Sequence, residues 1–244
     1  MKNTIMLKIL FLVLPLLVVA QEGNYTLLLV DKSGSMKVKN PRQDKYIYQI
    51  IKSACATKTA SVEVRFVNET TNSVMNKKVF VYTVPEFNAE LYPKDEVELQ
   101  RQLFESKIKR EKKDFTKKIV TFINSYDATA QWTELLSGIV GIARLNKKEA
   151  RVYFFTDGIE SSKYRDMTKG SFKSEQEAVM SAKADVVKLR KKFQLPKTLS
   201  GIQQIRFVIP LDMQANSDVL QFLEVYWKEV YRGFGFENVF FETL

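Results

Sequence analysis

The sequence predicts an α/β fold in which a mostly parallel central sheet is covered by helices on both faces. Three observations point there. Two short, continuously apolar runs, Tyr25–Val30 (YTLLLV) and Arg151–Thr156 (RVYFFT), each stop at an aspartate, Asp31 and Asp157. Unbroken apolar runs are the mark of parallel strands, whose two faces are both buried. Runs of this kind alternate along the chain with segments of helical periodicity. The 244 residues, 45% of them apolar, suffice for one large α/β domain.

The elements follow in order. After Tyr25–Val30, residues 44–58 read as a helix, with Tyr48, Ile51 and Cys55 on one face. Val62–Val67 (VEVRFV) and Lys78–Val84 (KVFVYTV) read as strands, and the polar stretch 70–76 between them suits a hairpin connection. Pro85 and Pro93 bracket a loop. Residues 94–126 then form one long, highly charged helix: 15 of the 25 residues from Lys94 to Lys118 are charged, while Phe104, Ile108, Phe115, Ile119 and Phe122 keep a helical stripe. About 30 residues span roughly 45 Å, so part of this helix is expected to project past the sheet toward a partner or to lie solvated along the surface. A helix over 133–145 precedes Arg151–Thr156. Ser174 with Glu177 is a capping box that opens a helix to about Phe193, and Leu195-Pro196 stops it. Ile205–Leu211 is a strand, Ser217–Tyr231 an aromatic-rich helix and Val239–Phe241 a short final strand. No internal repeat or linker interrupts this pattern, so residues 21–244 read as one domain.

Composition excludes whole chemistries. With no histidine, Ser-His-Asp and Cys-His nucleophile systems and imidazole-ligated zinc are absent. The one cysteine, Cys55, precludes an internal disulfide and reads as a core residue. Any metal would be held by oxygen, which selects magnesium, manganese or calcium. At the N-terminus, Lys2 and Lys8 precede a 12-residue apolar run, Ile9–Ala20, ending in Val-Val-Ala before Gln21. This reads as a signal peptide over residues 1–20, and the expected location is therefore periplasmic or secreted. No second apolar stretch is long enough to span a bilayer, so the mature chain is expected not to cross a membrane. Without Lys2 and Lys8 the formal charge falls from +10 to +8, which favours acidic partners. No nucleic-acid-binding motif is present, and nucleic acid is not expected as a partner. Asn24-Tyr25-Thr26 and Asn68-Glu69-Thr70 match the glycosylation acceptor pattern.

Ligands of open α/β sheets bind at the C-terminal edge of the strands, and both aspartates fall there. Asp31-Lys32-Ser33-Gly34-Ser35 places two hydroxyls at alternate positions after a carboxylate. A tight loop around Gly34 can turn all three oxygens toward one point. Asp157, in Thr156-Asp157-Gly158, supplies a second carboxylate directly or through water. Carboxylates and hydroxyls are hard ligands suited to Mg2+, which keeps waters where protein ligands are missing. Either motif alone is more often a turn or a helix cap; both together, at two strand ends of one alternating chain, point to a metal site.

These residues resemble the von Willebrand factor A (vWA) domain family, a single Rossmann-like domain with a metal-ion-dependent adhesion site. The resemblance covers nearly all of residues 24–242 and rests on DKSGS at 31–35 and TDG at 156–158. It implies a metal threonine in a mid-chain loop, for which Thr133, just ahead of an apolar helix, is chosen over Thr129. The implied metal set is Asp31, Ser33, Ser35, Thr133 and Asp157, holding Mg2+ or alternatively Mn2+ or Ca2+. The chain departs from the family in its long helix and in stopping after the last strand, which leaves one face of the sheet's edge without the family's final helix. The implied function is a metal-dependent, adhesion-type protein-binding module, not an enzyme, whose cation is completed by an acidic side chain of a protein partner. Two other readings use the same chain differently: a metal-assisted hydrolase, or a metal-free scaffold that binds through its long helix. Trp132, beside Thr133, either lines the ligand surface or lies in the core.

Overall fold

The computed structural model describes residues 24–36, 41–71, 76–127, 130–168, 170, 172–210 and 217–244. The signal segment 1–20 and Thr129 lie outside the described residues.

The elements run β1 (Asn24–Asp31), α1 (Pro41–Ala54), β2 (Thr59–Val67), β3 (Lys77–Thr83), α2 (Val97–Asn124), α3 (Leu135–Ala143), β4 (Ala150–Phe155), α4 (Glu175–Phe193), β5 (Ile202–Ile209), α5 (Ser217–Gly233) and β6 (Val239–Thr243). Six strands make one sheet in the order β3-β2-β1-β4-β5-β6. All neighbours are parallel except β2 and β3, which form the antiparallel hairpin read from the sequence. The α/β fold class is therefore as expected, and the strand order changes direction at β1 and β4, where a doubly wound sheet opens a crevice.

Alternation along each strand sends side chains to two separate cores. On one face Leu27, Leu29, Val152, Phe154, Ile205 and Phe207 pack under α3, α4 and α5. Phe207 is the hub of an aromatic row: its ring stacks on Phe154 at 4.6 Å, on Phe241 at 4.8 Å and on Trp227 at 5.4 Å between centroids. On the other face Leu28, Val30, Val62, Val64, Phe66 and Phe155 pack under α1 and α2. Over β5 and β6 that second face carries a polar ladder, which the Tyr46 hydroxyl of α1 joins by donating to Glu242. Arg206 pairs with Glu242, the Gln204 amide donates to the Tyr153 hydroxyl at 3.0 Å, and the Arg206 guanidinium lies 5.0 Å over the Phe240 ring.

Several local readings shift. In α1 the buried residues are Ile47, Ile50, Ile51 and Ala54, while Tyr48 is exposed; the helix begins at Pro41, a residue suited to a first turn. Cys55 is buried, and burial raises its thiol pKa, which fits a core residue. α3 starts at Leu135 instead of residue 133. The cause is tertiary: the Thr133 N–H donates to Ser161 Oγ at 2.8 Å and its carbonyl accepts from Ser161 N–H at 3.0 Å, so its backbone is already committed elsewhere. The capping box at α4 is present in shifted form: Ser174 Oγ accepts from Glu177 N–H, and the Glu177 carboxylate reaches back to the Lys173 N–H. The helix ends with Gln194 in the left-handed conformation, directly before Leu195-Pro196.

α2 divides along its length. Phe115, Ile119 and Ile123 are buried against the second face, and Ile108 is the first residue from the N-terminus to be buried. Ahead of it Leu99 and Leu103 are 57% and 56% exposed. These first turns carry a separate aromatic cluster in which Phe87, from the proline-bracketed loop, stacks on Tyr92, meets Phe104 at 5.4 Å and takes Arg101 over its ring. The Asn68 amide is buried in a network with Thr70, Asn76 and Tyr126, a packing that a glycan on its nitrogen would disrupt.

Candidate functional site

Three chain segments meet at the C-terminal ends of the neighbouring strands β1 and β4. The first is the turn after β1. Asp31 ends the strand, and its Oδ1 accepts from the Ser33 N–H at 2.8 Å, which curls the chain so that Gly34–Met36 forms a 3-10 turn. The second is the strand-like stretch before α3. Gly34 N–H donates to the Ala130 carbonyl and Ala130 N–H to the Lys32 carbonyl, which lays residues 130–133 beside the DKSGS turn. The third is the turn after β4, where Thr156 Oγ1 donates to Asp31 Oδ2 at 2.8 Å and Asp157 Oδ1 accepts from Ile159 N–H at 2.9 Å. Gly158 sits at φ +80° in this turn, a conformation that favours glycine, and its carbonyl is fixed by Trp227 Nε1 at 2.9 Å.

The expected metal residues thus fall on three adjoining segments. Asp31, Ser33, Thr133 and Asp157 are all at most 5% exposed. Ser35 belongs to the same turn, and its side chain lies outside what is described. Trp132 is 52% exposed beside Thr133, which makes it a rim residue and not a core aromatic. Among the described residues no group of three or more Cys, Asp or Glu side chains is disposed to hold a metal ion. The candidate set has a different composition, two carboxylates supplemented by hydroxyls.

The electrostatics of this set are unusual. Burial, followed by the neighbouring Asp157 carboxylate, pushes the Asp31 carboxyl up to about 7. The hydrogen bonds from Ser33 and Thr156 work in the opposite direction and are outweighed. A divalent cation between two such carboxylates would replace their repulsion by attraction and hold both ionised, so the donor set fits a hard cation.

Sequence reasoning missed the groups that hold these segments together. Glu160 is fully buried, accepts from Leu136 N–H at 2.8 Å at the start of α3, and is bonded by the Ser162 hydroxyl. Burial raises its carboxyl to about 8. Ser161 clamps Thr133 from both sides of its peptide backbone. In the sequence Glu160, Ser161 and Ser162 look like an ordinary polar loop; only their position directly after the Thr-Asp-Gly turn marks them. Arg165 then ties this loop to Asp185 of α4, which also accepts from the Tyr226 hydroxyl of α5 at 2.7 Å.

No protein-family profile matches the chain, and no curated protein matches it. Among solved structures, the pilus adhesin SpaC from Lactobacillus rhamnosus GG in its open conformation matches over 91% of this chain, at 9% identity and a TM-score of 0.42. The chain spans 28% of the length of that adhesin. Among the described residues no helix is long and apolar enough to cross a membrane.

Proposed function

We propose that this chain is a vWA-like binding module with a metal-ion-dependent adhesion site. Asp31, Ser33, Ser35, Thr133 and Asp157 hold one Mg2+, with Mn2+ or Ca2+ as substitutes, and a remaining coordination position receives an acidic side chain from a protein partner. The observation that carries this reading is the burial of two carboxylates, Asp31 and Asp157, close enough that one raises the pKa of the other. Folding tolerates such a pair when something restores the charge balance. Two anionic ligands leave a divalent cation electrophilic, so a partner's carboxylate completes both its coordination and its charge. The cation acts here as a docking point and not as a catalyst. The exposed indole of Trp132 gives the partner an apolar contact at the rim. The chain is exported, the signal peptide is removed after Ala20, and residues 21–244 act as one unit.

Calorimetric titration of the chain from Gln21 with MgCl2 and MnCl2 tests the site. One ion should bind, Asp31→Ala should abolish binding, and Ser33→Ala should weaken it less, since a neutral hydroxyl contributes less charge than a carboxylate. Absence of heat at saturating metal overturns the reading. N-terminal sequencing of the native protein should begin at Gln21.

A further inference from the structure

The outer edge of β3 pairs with no strand among the described residues, and its surroundings specify what fits it. β3 is the last strand of the sheet on that side. Val84 N–H donates to the Lys58 carbonyl, and the antiparallel register pairs Ala60 with Tyr82, Val62 with Phe80 and Val64 with Lys78. Because hydrogen-bonded pairs alternate in an antiparallel ladder, Lys78, Phe80 and Tyr82 bond inward to β2. Lys77, Val79, Val81 and Thr83 turn their N–H and C=O groups outward.

The two sides of this edge differ. On the α2 side an open groove of about 590 Å3 runs between β3 and α2, with an aromatic floor of Phe80 and Phe122, whose rings meet at 5.6 Å. Its charged lining is Lys78, Lys117 and Lys118 against the lone carboxylate of Asp114. The Lys78 ammonium lies 5.3 Å over Phe80 and 5.1 Å over Phe122, inside the groove. On the opposite side Val79 and Val81 stand 50% and 62% exposed.

We propose that β3 is a docking strand for an extended acidic segment of a partner protein, which adds to the sheet as a further strand. Main-chain bonds to the outward groups of Lys77, Val79, Val81 and Thr83 supply the pairing, as in other cases of strand addition. Side chains of an added strand alternate in direction. Acidic residues opposite Lys78 and Phe80 enter the lysine-lined groove, and apolar residues between them cover Val79 and Val81. The segment recognised is therefore one in which acidic and apolar residues alternate. This surface uses none of the candidate metal residues and stands whether or not a cation binds.

The test uses the chain from Gln21 and a capped eight-residue peptide alternating glutamate and valine. Controls are the lysine–valine counterpart and an acidic peptide with alternate amides N-methylated on its pairing side. Binding is followed by fluorescence anisotropy and located by amide hydrogen exchange. The acidic peptide should bind roughly tenfold or more tighter than the basic one, weaken with added salt, and protect residues 77–83. Lys78→Glu combined with Lys118→Glu should lower the affinity by at least about tenfold. Val81→Pro removes one outward N–H without breaking a bond to β2, and it should do the same while leaving the melting temperature close to that of the unmodified chain. The proposal is overturned if no peptide binds or if the methylated peptide binds equally well. It is also overturned if protection appears around Asp31 and is lost in Asp31→Ala. Sedimentation showing that the chain alone dimerises through this edge, with Val81→Pro restoring monomers, would assign the edge to a second copy and overturn it as well.

Discussion

The Thr156 hydroxyl donates to Asp31 Oδ2 at 2.8 Å, joining the ends of β1 and β4 across 125 residues of chain. With Ser33 N–H on Oδ1, both oxygens of Asp31 are held by neutral donors. The charge beside it is another carboxylate, Asp157. The geometry of the site is thus fixed by hydrogen bonds while its electrostatics remain unfavourable.

A pH dependence follows. Asp31 rises from 3.8 to about 7 on folding. Its folded form binds more protons than its unfolded form between these values, so stability falls as pH rises through that window and stays low above it. The cost at pH 8 is on the order of 4 kcal/mol as an upper figure. Urea unfolding in chelator should give a higher midpoint at pH 5 than at pH 8. Asp31→Asn, which keeps the shape and one acceptor, should flatten that slope, and saturating Mg2+ should raise the midpoint at pH 8 in the unmodified chain only. An equal slope in Asp31→Asn would assign the effect elsewhere.

Glu160 has a different signature. With its carboxyl raised to about 8 it is largely protonated at neutral pH. Glu160→Gln should therefore change stability at pH 7 by only about 0.5 kcal/mol, in keeping with a neutral hydrogen-bonding side chain. Glu160→Ala strips the acceptor from the Leu136 N–H and should cost about 2–3 kcal/mol. Chemical denaturation of the two variants side by side separates these outcomes; equal losses would mean that the negative charge itself is needed.

Two buried tyrosines of α5 should respond oppositely to loss of the hydroxyl. Tyr226 donates to Asp185, which also pairs with Arg165, so Tyr226→Phe should cost about 1.5–3 kcal/mol. The Tyr231 hydroxyl is buried without a hydrogen-bond partner among the described residues, and Tyr231→Phe should be neutral or stabilising by up to about 1 kcal/mol. Thermal unfolding of both single variants is sufficient.

Gly233 closes the contact between α5 and α4. A Cβ there would come within 2.7 Å of Val186 Cγ2. Gly233→Ala should destabilise by about 1–3 kcal/mol through overpacking, and Val186→Ala in the same chain should recover part of the loss. Strict additivity of the two changes would contradict direct contact.

Much of this architecture was legible in the sequence because burial writes itself into periodicity. Leu27 to Val30 and Val152 to Phe155 are buried on both faces of the sheet, and their unbroken apolar runs said so; Asp31 and Asp157 marked where each strand leaves the core. The hairpin of β2 and β3 was visible from its polar connection. What periodicity could not carry was contact between distant segments. The late start of α3 depends on Ser161, and the burial of Glu160 depends on the start of α3, facts of tertiary pairing with no local trace. The exposure of Leu99 and Leu103 is one of the two outcomes that the length and charge of α2 left open, and its apolar spacing alone could not choose between them.

The position of the candidate site between β1 and β4 has a consequence for how the chain acquires it. The hairpin of β2 and β3 is closed by a short connection, whereas Asp31 and Thr156 can meet only after a loop of 125 residues has closed. That closure costs about 4 kcal/mol in chain entropy, and no fragment ending before β4 contains both carboxylates. A cation held by both carboxylates, as in the proposed function, would therefore require the finished sheet, and metal affinity followed during refolding would report the moment at which the two halves of the chain come together.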